Sequence, residues 1–421
     1  NILSYNRIGV VGPSQFQAGS TGRRIGGTST GNLGSGIKIT GRAIANTIRN
    51  NIIGNNGRHG IEIESPEAPA AEDAPTLIIG NNIGVMADQA GSGIVDIGNI
   101  LSGISIKNTT NVQIGAAGEI NANVIGKNRE HGIKIVGNPT SGTALSQKGI
   151  KAMNNLLGMI RNDQDEPLAA GNAFNGVYAQ NFAGLEVGGD LAELANKIVA
   201  NGRAGLLFKS VNPTTAHPVA ARVRGNSIGA IADALGNITS HLGNLAGGIE
   251  TEDSSAVEIG SADENVPPNL VASNLSFGLK AKGMRAATLV RNMFIRNQGP
   301  GVHLYQSTEM SVIGNGIGLA LGADIADSGN TGDGVLVEES PGNTIGGTGV
   351  DANLKRIGFI DSAEFDQYGN TIRTLDATNR LIALGVGATA SADLLELNLA
   401  SMPTAERALR LSATSTYSAD G

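Results

Sequence analysis

The chain has 421 residues, of which 61 are Gly, about twice the usual share of ~7%, while aromatic residues make up only 3%. A formal charge of -7 without a basic cluster carries no footprint for nucleic acid or an anionic membrane, and the lack of cysteine excludes disulfides, thiolate metal sites and a thiol nucleophile. No apolar run approaches the ~18 residues of a membrane helix, and the opening NILSYNRIGV has neither an initiator Met nor a signal pattern, as expected of a processed form or an excised fragment.

Along the chain, strands of the form G-[IVL]-x-[apolar] follow Gly36, Gly60, Gly103, Gly132, Gly176, Gly205, Gly248, Gly278, Gly301 and Gly334. From Gly60 to Gly278 their spacing alternates between 43 or 44 and 29 or 30 residues, so two coils make a super-repeat of about 72. Its clearest copies are NNIIGNNGRHGIEI from Asn50 and NVIGKNREHGIKI from Asn123, with a fainter one from Asn196. Gly or Asn every few residues would cost a helix ~0.5 to 1 kcal/mol at each place. The β-branched runs with period-two alternation therefore predict short parallel strands stacked as a solenoid, with the two apolar residues of G-I-x-I inside and x outside. Such a repeat overrides the two or three domains that the length alone would suggest.

Between the strands, Asn and Gly supply positive-φ turns, and Asn55, Asn128, Asn201 and Asn297 are expected to stack as an amide ladder. Two series of extra loops recur. One covers residues 66–75, 138–148 and 212–218, and the other follows N-x-[IL]-G from Asn81, Asn154, Gly225 and Gly314. Insertions in repeat proteins concentrate on the binding face, so these ridges are where function is expected. The solenoid is expected over residues 1–349, and residues 350–421, whose spacing is weaker, are expected to add irregular strands that cap the end or serve assembly.

The motifs N-x-I-G, G-N-x-x-x-G-V-x-[IV]-x-x-S and N-T-I-G-G, clearest between Gly314 and Gly347, resemble the right-handed parallel β-helix repeats of pectate-lyase-like proteins. More narrowly they resemble the repeats of large secreted bacterial surface proteins, and the resemblance covers about residues 1–347. It implies an all-β, right-handed, single-stranded parallel β-helix with a less regular C-terminal segment. That architecture hosts polysaccharide lyases, galacturonases, epimerases, tailspikes and adhesin passengers, so the fold does not choose the activity.

The outward x positions form a column of Lys38, Glu62, Ser105, Lys134, Tyr178, Leu207, Glu250, Lys280, His303 and Leu336, without a cluster of carboxylates. Lys38 beside Glu62 reads as a cross-strand charge pair. GNTGDGVLV from Gly329 is similar to the Asn-Thr-Asp-Gly signature of galacturonases, but Gly332 interrupts it and its companion motifs are absent, leaving Asp333 as a turn residue. His59 and His131 are repeat equivalents, and Ala204 replaces them in the third copy. The acidic patches Glu72-Asp73, Asp163-Asp165-Glu166 and Glu250-Glu252-Asp253 offer oxygen ligands for calcium but read as solvated carboxylates, and Tyr178 and Tyr305 are the ring candidates on strands. No catalytic, cofactor-binding or metal-ligating residue is assigned. The expected function is an extracellular or cell-surface bacterial β-helix protein of structural or adhesive kind, a stalk, passenger or filament subunit. It would associate end to end or bind a glycan or cell-surface ligand through its loops. The alternative is a polysaccharide-active lyase or hydrolase.

Overall fold

The computed structural model describes residues 1–10, 31–41, 45–65, 73–88, 90–137, 148–233, 237–318 and 329–345, and the strands at 372–374, 380–381, 394–402 and 405–412. Each coil passes through three sheets in turn. Sheet 1, of 13 strands, collects the G-I-x-I segments from Ile37–Thr40 onward; sheet 2, of 12, collects segments such as Thr76–Ile79; sheet 3, of 10, is built from short segments such as Ile52–Ile53. Successive coils pair in parallel and in register, as where Ile104 lies between Ile61 and Ile133. Sheet 1 continues to Ile372–Thr374 and Leu394–Met402, where Ala405–Ser412 ends it with an antiparallel pair.

The core is one column of Ile, Val, Leu and Ala that runs inside the three sheets, with Phe208 and Phe294 among its few rings. The Gly that opens each G-I-x-I is fixed by close approach. A Cβ at Gly60 would lie 2.6 Å from the carbonyl oxygen of Gly103, and one at Gly103 would lie 2.9 Å from that of Gly132. The N-x-[IL]-G glycines answer a different need. Gly84, Gly158 and Gly229 have φ of 83, 94 and 91, which L side chains rarely adopt, and each launches a β-hairpin from the end of a sheet 3 strand.

Asparagine ladders run along two corners. Between sheets 3 and 1, each Nδ2 donates to the next Oδ1 from Asn56 through Asn99, Asn128, Asn172, Asn201, Asn244, Asn274 and Asn297 to Asn330, at 2.7 to 3.0 Å. Between sheets 2 and 3 a second ladder links Asn51, Asn81, Asn123, Asn155, Asn196, Asn226, Asn269, Asn292 and Asn315 in the same way. The expected members Asn128, Asn201 and Asn297 are in the first ladder, but Asn55 is not. Asn55 has φ 54 and occupies the left-handed turn position taken elsewhere by Lys127, Ala200 and Arg296, so its neighbour Asn56 is the one directed into the stack. At the third corner, serines do similar work, with Ser307 Oγ accepting from the Met284 amide and Ser340 Oγ from that of Ser307.

The loop series differ from their expected form. Residues 66–72 and 138–147, Glu72 included, and 319–328 lie outside the described residues. Three members of the second series are hairpins, Val85–Ala87 with Ile94–Asp96, Met159–Arg161 with Pro167–Ala169, and Ala230–Ala232 with Ile238–His241. They do not stand free as a ridge. Val85, Ile160 and Ala170 pack with Val124 and Leu168, and Ala230 packs with Leu270 and Ile295, so the hairpins form apolar layers over sheet 3. A further series, unrecognised in the sequence because it is short and variable, bulges between sheets 2 and 3 as one-turn 3-10 helices at Glu119–Asn121 and Ala192–Leu194.

Candidate functional site

The outer face of sheet 1 assembles side chains that are far apart in sequence. The in-register pairing places Lys38, Glu62, Ser105, Lys134, Tyr178, Leu207, Glu250, Lys280, His303 and Leu336 in one continuous column, as the spacing predicts. A second column, the residue before each Gly, runs beside it and contains Ser35, His59, Ser102, His131 and Asn175. Its importance is invisible in one coil, because these residues interact across coils.

His59 and His131 are both buried, and each ring Nδ1 accepts a backbone N–H from the next coil, from Ser102 at 3.1 Å and from Asn175 at 3.3 Å. A nitrogen that accepts an N–H cannot carry the ring proton, so in both neutral rings the proton is on Nε2, which remains a donor. Burial lowers both pKa values, that of His131 to about 4, and so neither ring is charged at neutral pH. His131 also stacks on Tyr178 at 4.7 Å between centroids, meets the Phe174 ring edge-on at 5.5 Å, and Arg203 covers that Phe174 ring at 4.7 Å.

Carboxylates and cations line the same face. Glu130 accepts from Ser102 Oγ at 2.8 Å and from Lys134 at 3.3 Å; burial alone would raise its carboxyl, but these bonds hold it below the usual range. Glu62 has the same balance, with burial opposed by Ser35 and by Lys38 at 3.1 Å, which realises the expected Lys38–Glu62 pair. Further along, burial and Glu252 raise the Glu250 carboxyl, and His303 Nε2 lies 2.7 Å from Glu338. Tyr305 lies 6.3 Å from the His303 ring, and the backbone oxygen of Asp333 accepts from the Gly301 amide of the preceding coil at 2.9 Å, which sets Asp333 just ahead of its sheet 1 strand.

The other acidic patches are committed locally. Asp165 pairs with Arg161 at 2.9 Å, and Glu166 accepts from Asn162 within the hairpin turn. Among the described residues no three of His, Asp and Glu come together as a metal ion would require.

Three long parallel sheets, stacked coil on coil around one apolar column, define a right-handed parallel β-helix protein. A family model described as "Periplasmic copper-binding protein (NosD)" matches residues 196–374. No curated protein matches the chain. A solved structure, the Azotobacter vinelandii mannuronan C-5 epimerase AlgE6 A-module, is similar at 14% identity over 76% of this chain and 80% of that one, with a TM-score of 0.28.

Proposed function

We propose that the chain is the rod and recognition face of an exported bacterial β-helix protein, and that it binds glycan along the outer face of sheet 1. One observation carries this reading. In a chain with so few aromatics, Phe174, Tyr178, Phe277 and Tyr305, together with His59, His131 and His303, share that one face, each half-buried or lined by partners on neighbouring coils. Rings flanked by carboxylates, cations and Nε2–H donors offer stacking surface and hydrogen bonds together, which is what a sugar ring with its hydroxyls requires.

The reading keeps the structural or adhesive role expected from the repeats and moves the binding surface from the loops to the sheet. The two asparagine ladders support a stiff rod, since every coil is tied to the next at two corners in addition to the sheets. Export agrees with the periplasmic description of the matching family model, and end-to-end association through the terminal coils belongs to the same proposal. Within it, residues 1–349 form the rod and residues 350–421 its terminal cap or assembly segment. The test is an oligosaccharide binding screen on the purified chain, with Tyr178→Ala and Phe174→Ala as face variants. Unchanged binding by both variants, or recovery of the protein in the cytoplasmic fraction of its host, overturns the proposal.

The residues present do not suit the copper named for the matching family. The chain has no Cys; Met284 and Met310 are buried in the solenoid core, with Thr251 Oγ 3.1 Å from the Met284 sulfur; and His217, His241 and His303 belong to a loop, a hairpin and sheet 1. Without Cys, and with no three of His, Asp and Glu brought together among the described residues, the imidazole and carboxylate ligands do not make a copper site.

A second reading, a polysaccharide-active enzyme, is favoured by the grouping of Glu130, His131, Lys134 and Tyr178. At neutral pH His131 offers an N–H donor and not a base, which leaves the ionised Glu130 as the group able to take a proton. Release of unsaturated products or reducing ends from a polysaccharide would establish it.

A further inference from the structure

Asn is followed directly by Gly at four places in the chain, Asn56, Asn175, Asn201 and Asn315. Three of these asparagines belong to the ladders, and every other ladder member is followed by a residue with a side chain. The pairing matters chemically. A Gly nitrogen has no neighbouring Cβ to crowd it, so it can attack the side-chain carbonyl carbon of the preceding Asn. The bond from Gly N to Asn Cγ closes a succinimide ring, the Cγ–Nδ2 bond breaks, and the Gly N–H proton leaves with Nδ2 as ammonia. Water then opens the ring to Asp or to isoaspartate, whose backbone is one carbon longer. Asn is among the thermally labile residues for this reason.

In the stacked rod, one residue of the adjacent coil holds both reacting groups at each pair. Asn32 Nδ2 donates to Asn56 Oδ1 at 2.8 Å, and the Asn32 carbonyl oxygen accepts the Gly57 N–H at 2.7 Å. Asn172 does the same for Asn201 and Gly202, at 3.0 and 2.8 Å, and Asn292 for Asn315 and Gly316, at 2.9 and 2.8 Å. At Asn175 the holding residue is Ala204 of the following coil, whose N–H donates to Oδ1 at 3.0 Å and whose oxygen accepts the Gly176 N–H at 3.2 Å. All four asparagines are buried, and a nitrogen whose hydrogen is bonded into the next coil is turned away from the side chain beside it. Lifting one contact between coils releases nucleophile and electrophile together.

We infer that the four Asn-Gly pairs are latent modification sites, closed by the stacking and opened to succinimide formation only where a coil separates from its neighbour. Conversion is one-way. In a ladder the product Asp puts a carboxylate oxygen where Nδ2 faced backbone carbonyls, as at Asn201 against Leu157 O and Val199 O, and isoaspartate lengthens the turn. The opened coil then does not reclose in register. Because coils contact mainly their neighbours, each pair marks the opening of its own part of the rod.

The test is peptide mapping by mass spectrometry, with isoaspartate measured at each Asn, on the full chain kept folded or in urea at mildly alkaline pH. In urea the four pairs should convert first, while Asn99 before Ile100 and Asn123 before Val124 stay intact. In the folded chain the four should convert about a hundredfold more slowly, as set by the small fraction of time a closed coil spends open. Asn172→Ala removes one of the two bonds to Asn201 Oδ1 and should speed conversion at Asn201 about tenfold, leaving Asn315 unchanged. Should that variant fail to fold, the parent at urea concentrations below its transition gives the same reading, with the four pairs accelerating independently. Conversion in the folded chain at the rate seen in urea, no acceleration at Asn201, or a common acceleration of all four pairs overturns the inference.

Discussion

Asn201 is the most exacting place to test whether the ladders hold the rod together. Its side chain makes five hydrogen bonds: Oδ1 accepts the Asn172 backbone amide at 3.3 Å and its Nδ2 at 3.0 Å, and Nδ2 donates to Leu157 O, Val199 O and Asn244 Oδ1. All of this is buried. Asn201→Ala leaves a buried amide of Asn172 without its acceptor and removes a donor from three oxygens. At ~1 to 3 kcal/mol for each group left unsatisfied, and with some carbonyls keeping another partner, the loss should be about 3 to 5 kcal/mol. Asn201→Asp keeps the shape and the acceptor but turns the donor into an oxygen facing three oxygens. It should be worse than Ala at pH 7. Burial among oxygens raises the new carboxyl above its unfolded value, so the Asp variant should regain stability as pH falls and the group protonates. Coils contact mainly their neighbours, so urea unfolding followed by circular dichroism should show the parent transition splitting in two, with the segment around Asn201 melting first. Asn55→Ala is the control. It removes no ladder bond, and Ala200 already occupies the equivalent left-handed position at φ 57, so the cost should stay near ~1 kcal/mol. If Asn201→Ala falls within about 0.5 kcal/mol of the parent and Asn201→Asp is no worse, the ladder is not the source of the rod's stability.

Acid should loosen the sheet 1 face before it dissolves the rod. His131 has a folded pKa of about 4 against an unfolded value near 6.5. The unfolded chain thus binds the proton first, and its contribution, about 3 kcal/mol, is complete above pH 6.5 and declines as pH falls towards 4. His131→Gln, monitored by unfolding midpoint across pH 7 to 4, should flatten that slope, and an unchanged slope would assign the acid sensitivity elsewhere. Gly84→Ala places a Cβ 2.2 Å from the Gly126 oxygen at φ 83, so it should cost several kcal/mol and detach the hairpin, read as faster amide exchange across residues 85–96. Ile160→Asp should expose the layer over sheet 3, raising dye binding by the folded protein with little loss of sheet 1 strand signal, because Val85, Ala170 and Leu168 pack with it and the central column does not. Loss of strand signal throughout would show that this layer is integral to the rod.

The repeat itself was legible because a solenoid uses the same local solution at every coil. Periodic Gly, G-I-x-I and Asn turns are local requirements, of close approach, alternation and left-handed backbone, and they specified the parallel strands and the outward column from Lys38 to Leu336 without reference to distant residues. What lay beyond sequence reasoning depended on contacts between coils. The choice of Asn56 over Asn55 for the ladder follows from which neighbour takes φ 54, and two adjacent asparagines are equivalent until the backbone is set. The second-series insertions read as solvated loops because half of each hairpin is polar; only when they fold over sheet 3 do Ile160 and Leu168 find Val85 and Val124. His59 and His131 looked like repetition alone because Ala204 breaks their series. In three dimensions each accepts a backbone N–H from the coil after it, and His131 meets Tyr178, 47 residues further along the chain, at 4.7 Å. Stacking at one strand spacing turns residues a full coil apart into neighbours, so local pattern determined the rod while only the stacked coils decided which side chains share a face.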